Sequence, residues 1–475
     1  MWFSFIAIGA VATCIIIVTL WEKFQTNPTI TGLDTDFHNW DVPFPAVTIC
    51  DRNPVDDELL QEFIDKVWDS NPPEKAEEFL RWLSTLSYES IAARGSEFVS
   101  DVNLVGSKGA LFNPKEAVFS IVRHCENLFF DCEWKGDSEE CCDLLAPVFT
   151  EMGFCYAFNS KHAEISWPWQ TQTDQFNEAF IHETDAKWSF LFNSFRNDTT
   201  IDIYIHSTEE MAGLEQTVQH SWDRRVEKVS FSVKHTYTTE DARQLSVRQR
   251  RCVFPDEQRL ETSTTYTYTA CMRQCRMQRS RSYCKCVPHF YPSIKGYNYC
   301  TLRELECIAK YTAEINDVTH CNCELGCTHT VYEVEKLTEI DANKGPSATN
   351  SLETEFVSWP MVRYKREVLF GWVDLLVSFG GIAGLFLGFS LLSGVELVYY
   401  FTLRAFCAAV RDADLLKQER NERIMKPKPP HNLSLVPWWK QPPPPSKARP
   451  TGLLQKDVLL PPKYSPPPVY TDYLP

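Results

Sequence analysis

Asp374, Ser378, Ser390, Ser393 and Glu396 stand within an otherwise apolar stretch, residues 368–403, that is long enough to cross a bilayer. Gly380, Gly384 and Gly388 recur there at i, i+4 and i+8, a spacing that lets helices approach closely in lipid. Carboxylates and hydroxyls are costly against hydrocarbon and tolerated where they face a bundle interior or water. A pore-lining helix meets both demands, and the chemistry of such groups is that of holding and passing an ion. The plainer alternative is that the small residues only permit tight packing. Enzyme chemistry finds no support: the 11 histidines form no metal-spaced motif, and no Ser/His/Asp or phosphate-loop signature is present. No resident cofactor is expected, and nothing points to nucleic acid.

The 18 cysteines are the second reactive set. Apart from Cys14 and Cys407, all lie between residues 50 and 327. Cys271 and Cys275, at i and i+4 of a helix, stand roughly 6 Å apart along its axis. Cys321 and Cys323, at i and i+2 of an extended strand, stand roughly 6.6 Å apart. A helix laid against a strand would therefore match two disulfide rungs. An antiparallel arrangement pairs Cys271 with Cys323 and Cys275 with Cys321, with Cys252 and Cys327 outside them. Cys284, Cys286, Cys300 and Cys307 are left to pair in the intervening loop. Zinc binding by Cys284-x-Cys286 and Cys321-x-Cys323 is the alternative, disfavoured in an oxidising compartment.

These groups need a membrane topology to position them. Trp2–Trp21 is apolar throughout and lacks the basic n-region, short core and small-residue site of a signal peptide, so it is expected to be a retained span. Residues 1–403 carry a net −22 against +6 for 404–449, and a basic segment after the second span marks the cytoplasmic side. Both termini are then cytoplasmic, with transmembrane helix 1 at 1–21, an extracellular cysteine-rich domain at 22–367, transmembrane helix 2 and the pore at 368–403, and a Pro-rich tail at 404–475. In the extracellular part, 55–69, 74–86 and 256–282 read as helices. Ile201/Ile203/Ile205 and Val229/Phe231/Val233 read as half-buried strands, and Thr328–Lys336 as extended. The fold class is membrane α-helical with a large α+β disulfide-rich extracellular domain. The sequon Asn197-Asp198-Thr199 is a glycosylation candidate on that side, whereas Asn432-Leu433-Ser434 would be cytoplasmic and idle.

Several motifs occur in an order that resembles the epithelial sodium channel/degenerin family. They are Phe44-Pro45-Ala46-Val47-Thr48-Ile49-Cys50, then Pro147 to Asn159, the ten-cysteine region Cys252 to Cys327, and Gly380-Gly381-Ile382-Ala383-Gly384-Leu385-Phe386-Leu387-Gly388-Phe389-Ser390 continuing to Glu396. Phe389 and the run Tyr399 to Arg404 look most like the insect pickpocket branch. The resemblance implies a trimeric, sodium-preferring, often amiloride-blocked channel at the plasma membrane, homomeric or built with related subunits. It implies thumb disulfides Cys252–Cys327, Cys271–Cys323, Cys275–Cys321, Cys284–Cys307 and Cys286–Cys300, together with Cys50–Cys155 and Cys132–Cys141. Cys125 and Cys142 remain and pair by parity. It also makes Gly388-Phe389-Ser390 the selectivity constriction, where carbonyl and hydroxyl oxygens replace part of the hydration shell of Na+. Asp374 at the outer mouth and Glu396 at the inner are either cation-attracting rings or interfacial, paired charges. Val377, before Ser378, occupies the degenerin position by alignment on Gly380-Gly381; small residues are usual there and bulky ones favour opening.

The family's cytoplasmic segment before the first span, with its His-Gly pair, is not found ahead of Trp2, so a non-conducting regulatory subunit is one alternative. A two-span receptor or adhesion protein is another. Arg248-Gln249-Arg250-Arg251 has furin-site spacing but reads more simply as a basic loop entering the thumb. In the tail, Pro461-Pro462-Lys463-Tyr464 and Pro467-Pro468-Val469-Tyr470 suit the groove of a WW domain, pointing to ubiquitin ligases.

Overall fold

The computed structural model describes residues 2–35, 42–68, 72–99, 113–170, 178–196, 198–340, 349–359, 362–388 and 390–425. The chain divides into two units, residues 1–391 and 392–475. The first opens with a 25-residue helix, Trp2–Thr26, beyond the expected end at Trp21. Among the described residues it alone is long and apolar enough to cross a membrane as one helix.

Beyond it, an 8-stranded sheet runs in the order Thr29–Asp34, Arg363–Val368, Val226–Thr238, Ser351–Phe356, Ser189–Ser194, Phe129–Trp134 and Asp137–Glu139, with Thr328–Glu339 also paired to Val226–Thr238. Because Thr29–Asp34 and Arg363–Val368 are paired antiparallel, the segments that follow the first helix and precede the Trp372–Leu387 helix are tied into one sheet. A 5-stranded sheet runs His220–Trp222, Ile201–His206, Ala46–Asp51, Gly153–Phe158 and Leu145–Thr150. Phe44, fully buried, sits edge-on to Trp134, Phe158, Phe231 and Phe356, with centroids 4.8–5.8 Å apart, and so joins the two sheets.

The strand at Ile201–His206 departs from expectation. Ile201, Ile203 and Ile205 are buried, but so are Tyr204 and His206 on the other face. That face is covered by a cluster of Cys50, Val148, Cys155, Ala157, Met211 and Ala212. Alternation marked this strand as half-buried because Tyr and His read as polar. His206 Nδ1 lies 2.9 Å from the Ser207 carbonyl and Nε2 lies 2.9 Å from Thr48 Oγ1. Both bonds form with a neutral ring whose Nδ1–H donates and whose Nε2 accepts. Burial pushes its pKa from 6.5 down to about 4. A depressed folded pKa gives a stability contribution that is present above 6.5 and lost as pH falls through about 4. The melting temperature of the purified protein should therefore decline over that window, and His206→Gln should flatten this part of the profile.

Helices Asp57–Trp68, Ala76–Ser84, Tyr88–Val99 and Pro114–Ile121 pack outside the sheets. The third expected helix, over 256–282, is corrected: turns occupy 255–267 and the helix is Tyr268–Cys284, started by Thr267 accepting from Ala270 N–H. Pro255 and the threonines at 262, 264, 265 and 267 disfavour an earlier start. Cys321 and Cys323 are likewise not in a strand; they lie in an unpaired extended segment before Thr328–Glu339.

The second unit is helical over its described residues. Leu391–Tyr399, which begins at the unit boundary, passes into a π-helical turn at Tyr400–Arg404 and then Ala405–Met425.

Candidate functional site: a broken helix and the domain that grips it

The segment 368–403 is not one helix. It leaves the Arg363–Val368 strand, forms Trp372–Leu387 and ends that helix at Gly388, and a separate helix starts at Leu391. The helix starts where Asp374 accepts the Gly371 N–H at 2.9 Å, so this carboxylate caps a helix whose N-terminal dipole favours negative charge. It stops at Gly388, whose φ of +61° is left-handed and whose N–H donates to the Gly384 carbonyl at 3.0 Å. A Cβ at Gly388 would meet nothing within 4 Å, so conformation and not space demands glycine.

Helical spacing puts Asp374, Val377, Gly381, Gly384 and Gly388 on one stripe, flanked by Ser378 and Gly380. Val377 is 67% exposed, and a Cβ on Gly380 or Gly381 meets nothing. The stripe is therefore unfilled within the single chain. Close helix approach occurs at a glycine that the sequence pattern did not single out. A Cβ on Gly9 of the first helix would lie 3.0 Å from the Phe386 carbonyl oxygen. Gly9, in a uniformly apolar span, was the available signal. Ser390 lies just past the break, Phe389 lies outside the described residues, and Glu396 is exposed on the second unit's helix.

The disulfide-rich domain grips the C-terminal end of Trp2–Thr26 and the N-terminal end of Trp372–Leu387. Phe24, Leu245 and Leu375 form one buried cluster, with Val368, Phe370 and Phe379 packed against it. Gln249 Nε2 donates to the Phe24 carbonyl at 3.4 Å, which sets the short Val247–Arg250 helix on the end of Trp2–Thr26. Arg250 of the basic run is buried, bonded to the Leu245 and Cys252 carbonyls and to Glu257. This segment is a short capped helix locked into a corner of the fold where a basic loop was expected, and its central arginine is buried.

Above that corner stands the ladder. Cys271–Cys323 and Cys275–Cys321 bridge the Tyr268–Cys284 helix to the extended segment with Cα separations of 5.8 and 6.0 Å. Cys252–Cys327 closes the base, and Cys284–Cys307 and Cys286–Cys300 staple the loop. Every cysteine of the zinc alternative is thus in a disulfide. Cys50–Cys155 joins neighbouring strands, and Cys125–Cys142 and Cys132–Cys141 lie side by side. Cys14 and Cys407 are free.

The same helix carries a group invisible in the sequence. Arg276 is 1% exposed; its Nε and Nη2 donate to Glu151 at 2.9 and 2.7 Å, and it is also paired with Glu215. Tyr291 donates to Glu151 at 3.0 Å, and Tyr88 OH lies 2.7 Å from Tyr291 OH. Burial opposes the Arg276 charge, yet Glu215 and Glu151 hold its pKa above the usual arginine value. The Tyr268–Cys284 helix is thereby bolted to the Leu145–Thr150/Gly153–Phe158 hairpin, the 207–216 loop and the Tyr88–Val99 helix.

Asn197 and the tail motifs at Pro461, Pro462, Tyr464, Pro467, Pro468 and Tyr470 lie outside the described residues.

Comparison with known proteins gives a consistent picture. The family described as "Amiloride-sensitive sodium channel" matches residues 1–400. The chain is similar to the sodium channel protein Nach of Drosophila virilis, 25% identical over 59% of this chain and 76% of that protein. It is 23% identical to pickpocket protein 11 of Drosophila melanogaster over 89% of this chain and 75% of the relative. The human bile acid-sensitive ion channel is 24% identical over 80% and 75% respectively.

Proposed function

The chain belongs to the amiloride-sensitive sodium channel family, a family of ion channels and not of enzymes, and from that premise we propose that it is a pore-lining subunit of a sodium-selective, amiloride-sensitive, voltage-independent channel of the plasma membrane. Trp2–Thr26 and the broken segment around Trp372–Leu387 are the two spans, both termini are cytoplasmic, and three subunits, identical or related, surround the pore.

The observation that carries this is the helix break at Gly388. A backbone that leaves helical geometry at membrane depth is tolerable where it lines a water-filled path. The stripe of Asp374, Val377, Gly381 and Gly384 leads to that break, and Gly388-Phe389-Ser390 is the constriction where Na+ sheds part of its hydration shell. Asp374 and Glu396 attract cations at the two mouths, and Val377 biases the gate towards opening. Two-electrode voltage clamp of cells expressing the chain, alone and with related subunits, tests this. An amiloride-blocked inward sodium current is expected in at least one combination; silence in all of them, with the chain at the cell surface, would overturn it.

The tail adds a control of channel number. Its two Pro-Pro-x-Tyr motifs bind WW domains of ubiquitin ligases, and Asn197 carries a glycan on the opposite side of the membrane. In pull-downs with a WW domain, Tyr464→Ala combined with Tyr470→Ala should weaken binding by about tenfold or more, since the aromatic ring is what the groove reads. Unchanged binding would remove the ligase from the scheme.

A further inference from the structure

The outer end of the first helix is ringed by basic groups that the pore does not use. Lys23, Arg248 and Arg251 are exposed, and among the described residues none is within ion-pair distance of a carboxylate. Arg366, half-buried, donates to Thr29 Oγ1 at 3.1 Å. Its charge is disfavoured first by burial and then by the nearby Arg251. The neighbouring acids are mostly committed elsewhere. Glu257 serves Arg250, Glu240 and Asp256 serve Arg243, Glu367 serves Lys365, and Asp374 caps its own helix. Glu22 is the remaining carboxylate on the helix end.

The level of this cluster relative to a membrane follows from its neighbours. The Val247–Arg250 helix sits on the Phe24 carbonyl, close to the C-terminal end of the first apolar helix; Trp21 lies one turn before Phe24, and Trp372 opens the second helix. Both tryptophans are exposed, at 46% and 59%, as expected for rings at the headgroup layer. Arg248 and Arg251 therefore stand where phosphate groups lie, and a guanidinium matches phosphate oxygens in a bidentate fork.

We propose that Arg248 and Arg251, backed by Arg366, form a docking surface for the phosphate groups of outer-leaflet phospholipids, so that the base of the disulfide ladder rests on the membrane as well as on the helices. The proposal rests on Trp2–Thr26 being a membrane span.

The test uses the assembled full-length channel in nanodiscs of phosphatidylcholine doped with a phosphatidylcholine bearing a photoreactive group near its phosphate. After irradiation and digestion, adducts should map to the peptide holding Arg248 and Arg251, and should fall about tenfold or more in the R248Q/R251Q double variant. Both side chains are exposed, so the variant should keep its assembly and melting temperature. R248K/R251K, which retains the charges, should recover part of the labelling. Millimolar inorganic phosphate should leave wild-type labelling unchanged; loss of labelling under phosphate would instead assign the cluster to a free anion. Equal labelling of wild type and R248Q/R251Q would overturn the proposal. An absence of adducts anywhere along Trp2–Thr26 would overturn the span itself, a distinct failure.

Discussion

Glu151→Ala should abolish delivery of the channel to the cell surface. Arg276 would keep Glu215 but lose both bonds to Glu151, and Tyr291 would lose its carboxylate acceptor. Breaking a buried charge pair from one side costs about 3–5 kcal/mol. Domains are stable by only about 5–15 kcal/mol in total. Surface salt bridges such as Lys75–Glu97 or Lys234–Glu333 are worth at most about 1 kcal/mol, so Glu97→Ala is the matched control and should be silent. Surface biotinylation and the melting temperature of purified protein read the difference. Glu151→Gln should be intermediate, because the amide oxygen still accepts one bond while the charge pairing is gone. Wild-type surface levels for Glu151→Ala would mean that the Arg276 cluster is dispensable.

Gly388→Val should leave surface assembly intact and remove most of the current. Its left-handed φ costs a β-branched residue roughly 1–2 kcal/mol or more, while the space around its Cβ is open. The strain is thus relieved by altering the local backbone and not by unfolding the extracellular domain, which lies elsewhere in the chain. Whole-cell current normalised to surface protein should fall by more than tenfold, whereas Gly380→Ala, in an ordinary helical position with open space, should be tolerated.

How much of this was legible beforehand differs by element. The two ladder rungs were compatible with spacing, because a helical i, i+4 and an extended i, i+2 have nearly equal rise, but the choice of the antiparallel pairing came from the family resemblance. That inference needed extension at Cys321–Cys323, not a hydrogen-bonded strand, and so it survived the absence of one. The helix boundary at Tyr268 was missed because the intervening threonines were read through, although their β-branched chains and Pro255 argue against helix. Periodicity placed Val229 and Phe231 in the core, but it could not reveal that both faces of Ile201–His206 are covered, since the cover comes from Met211 and the Cys50–Cys155 bridge. Arg276, Glu151 and Glu215 were unreadable: three charged residues far apart in sequence look solvated until the fold brings them together. In the apolar run 368–403 the glycine-flanked Gly388-Phe389-Ser390 tract did mark where the helix stops, because the left-handed conformation of Gly388 ends it.

The central claim is that Gly388-Phe389-Ser390 is where the permeant ion is selected. The most direct measurement is the reversal potential of the expressed channel with sodium and then potassium outside, for wild type and for Ser390→Cys at matched surface density. The account predicts a clear sodium preference in wild type and a reversal potential shifted towards non-selective permeation in Ser390→Cys, with amiloride-sensitive current still present. Identical reversal potentials for the two, at equal current, would place selection elsewhere and contradict it.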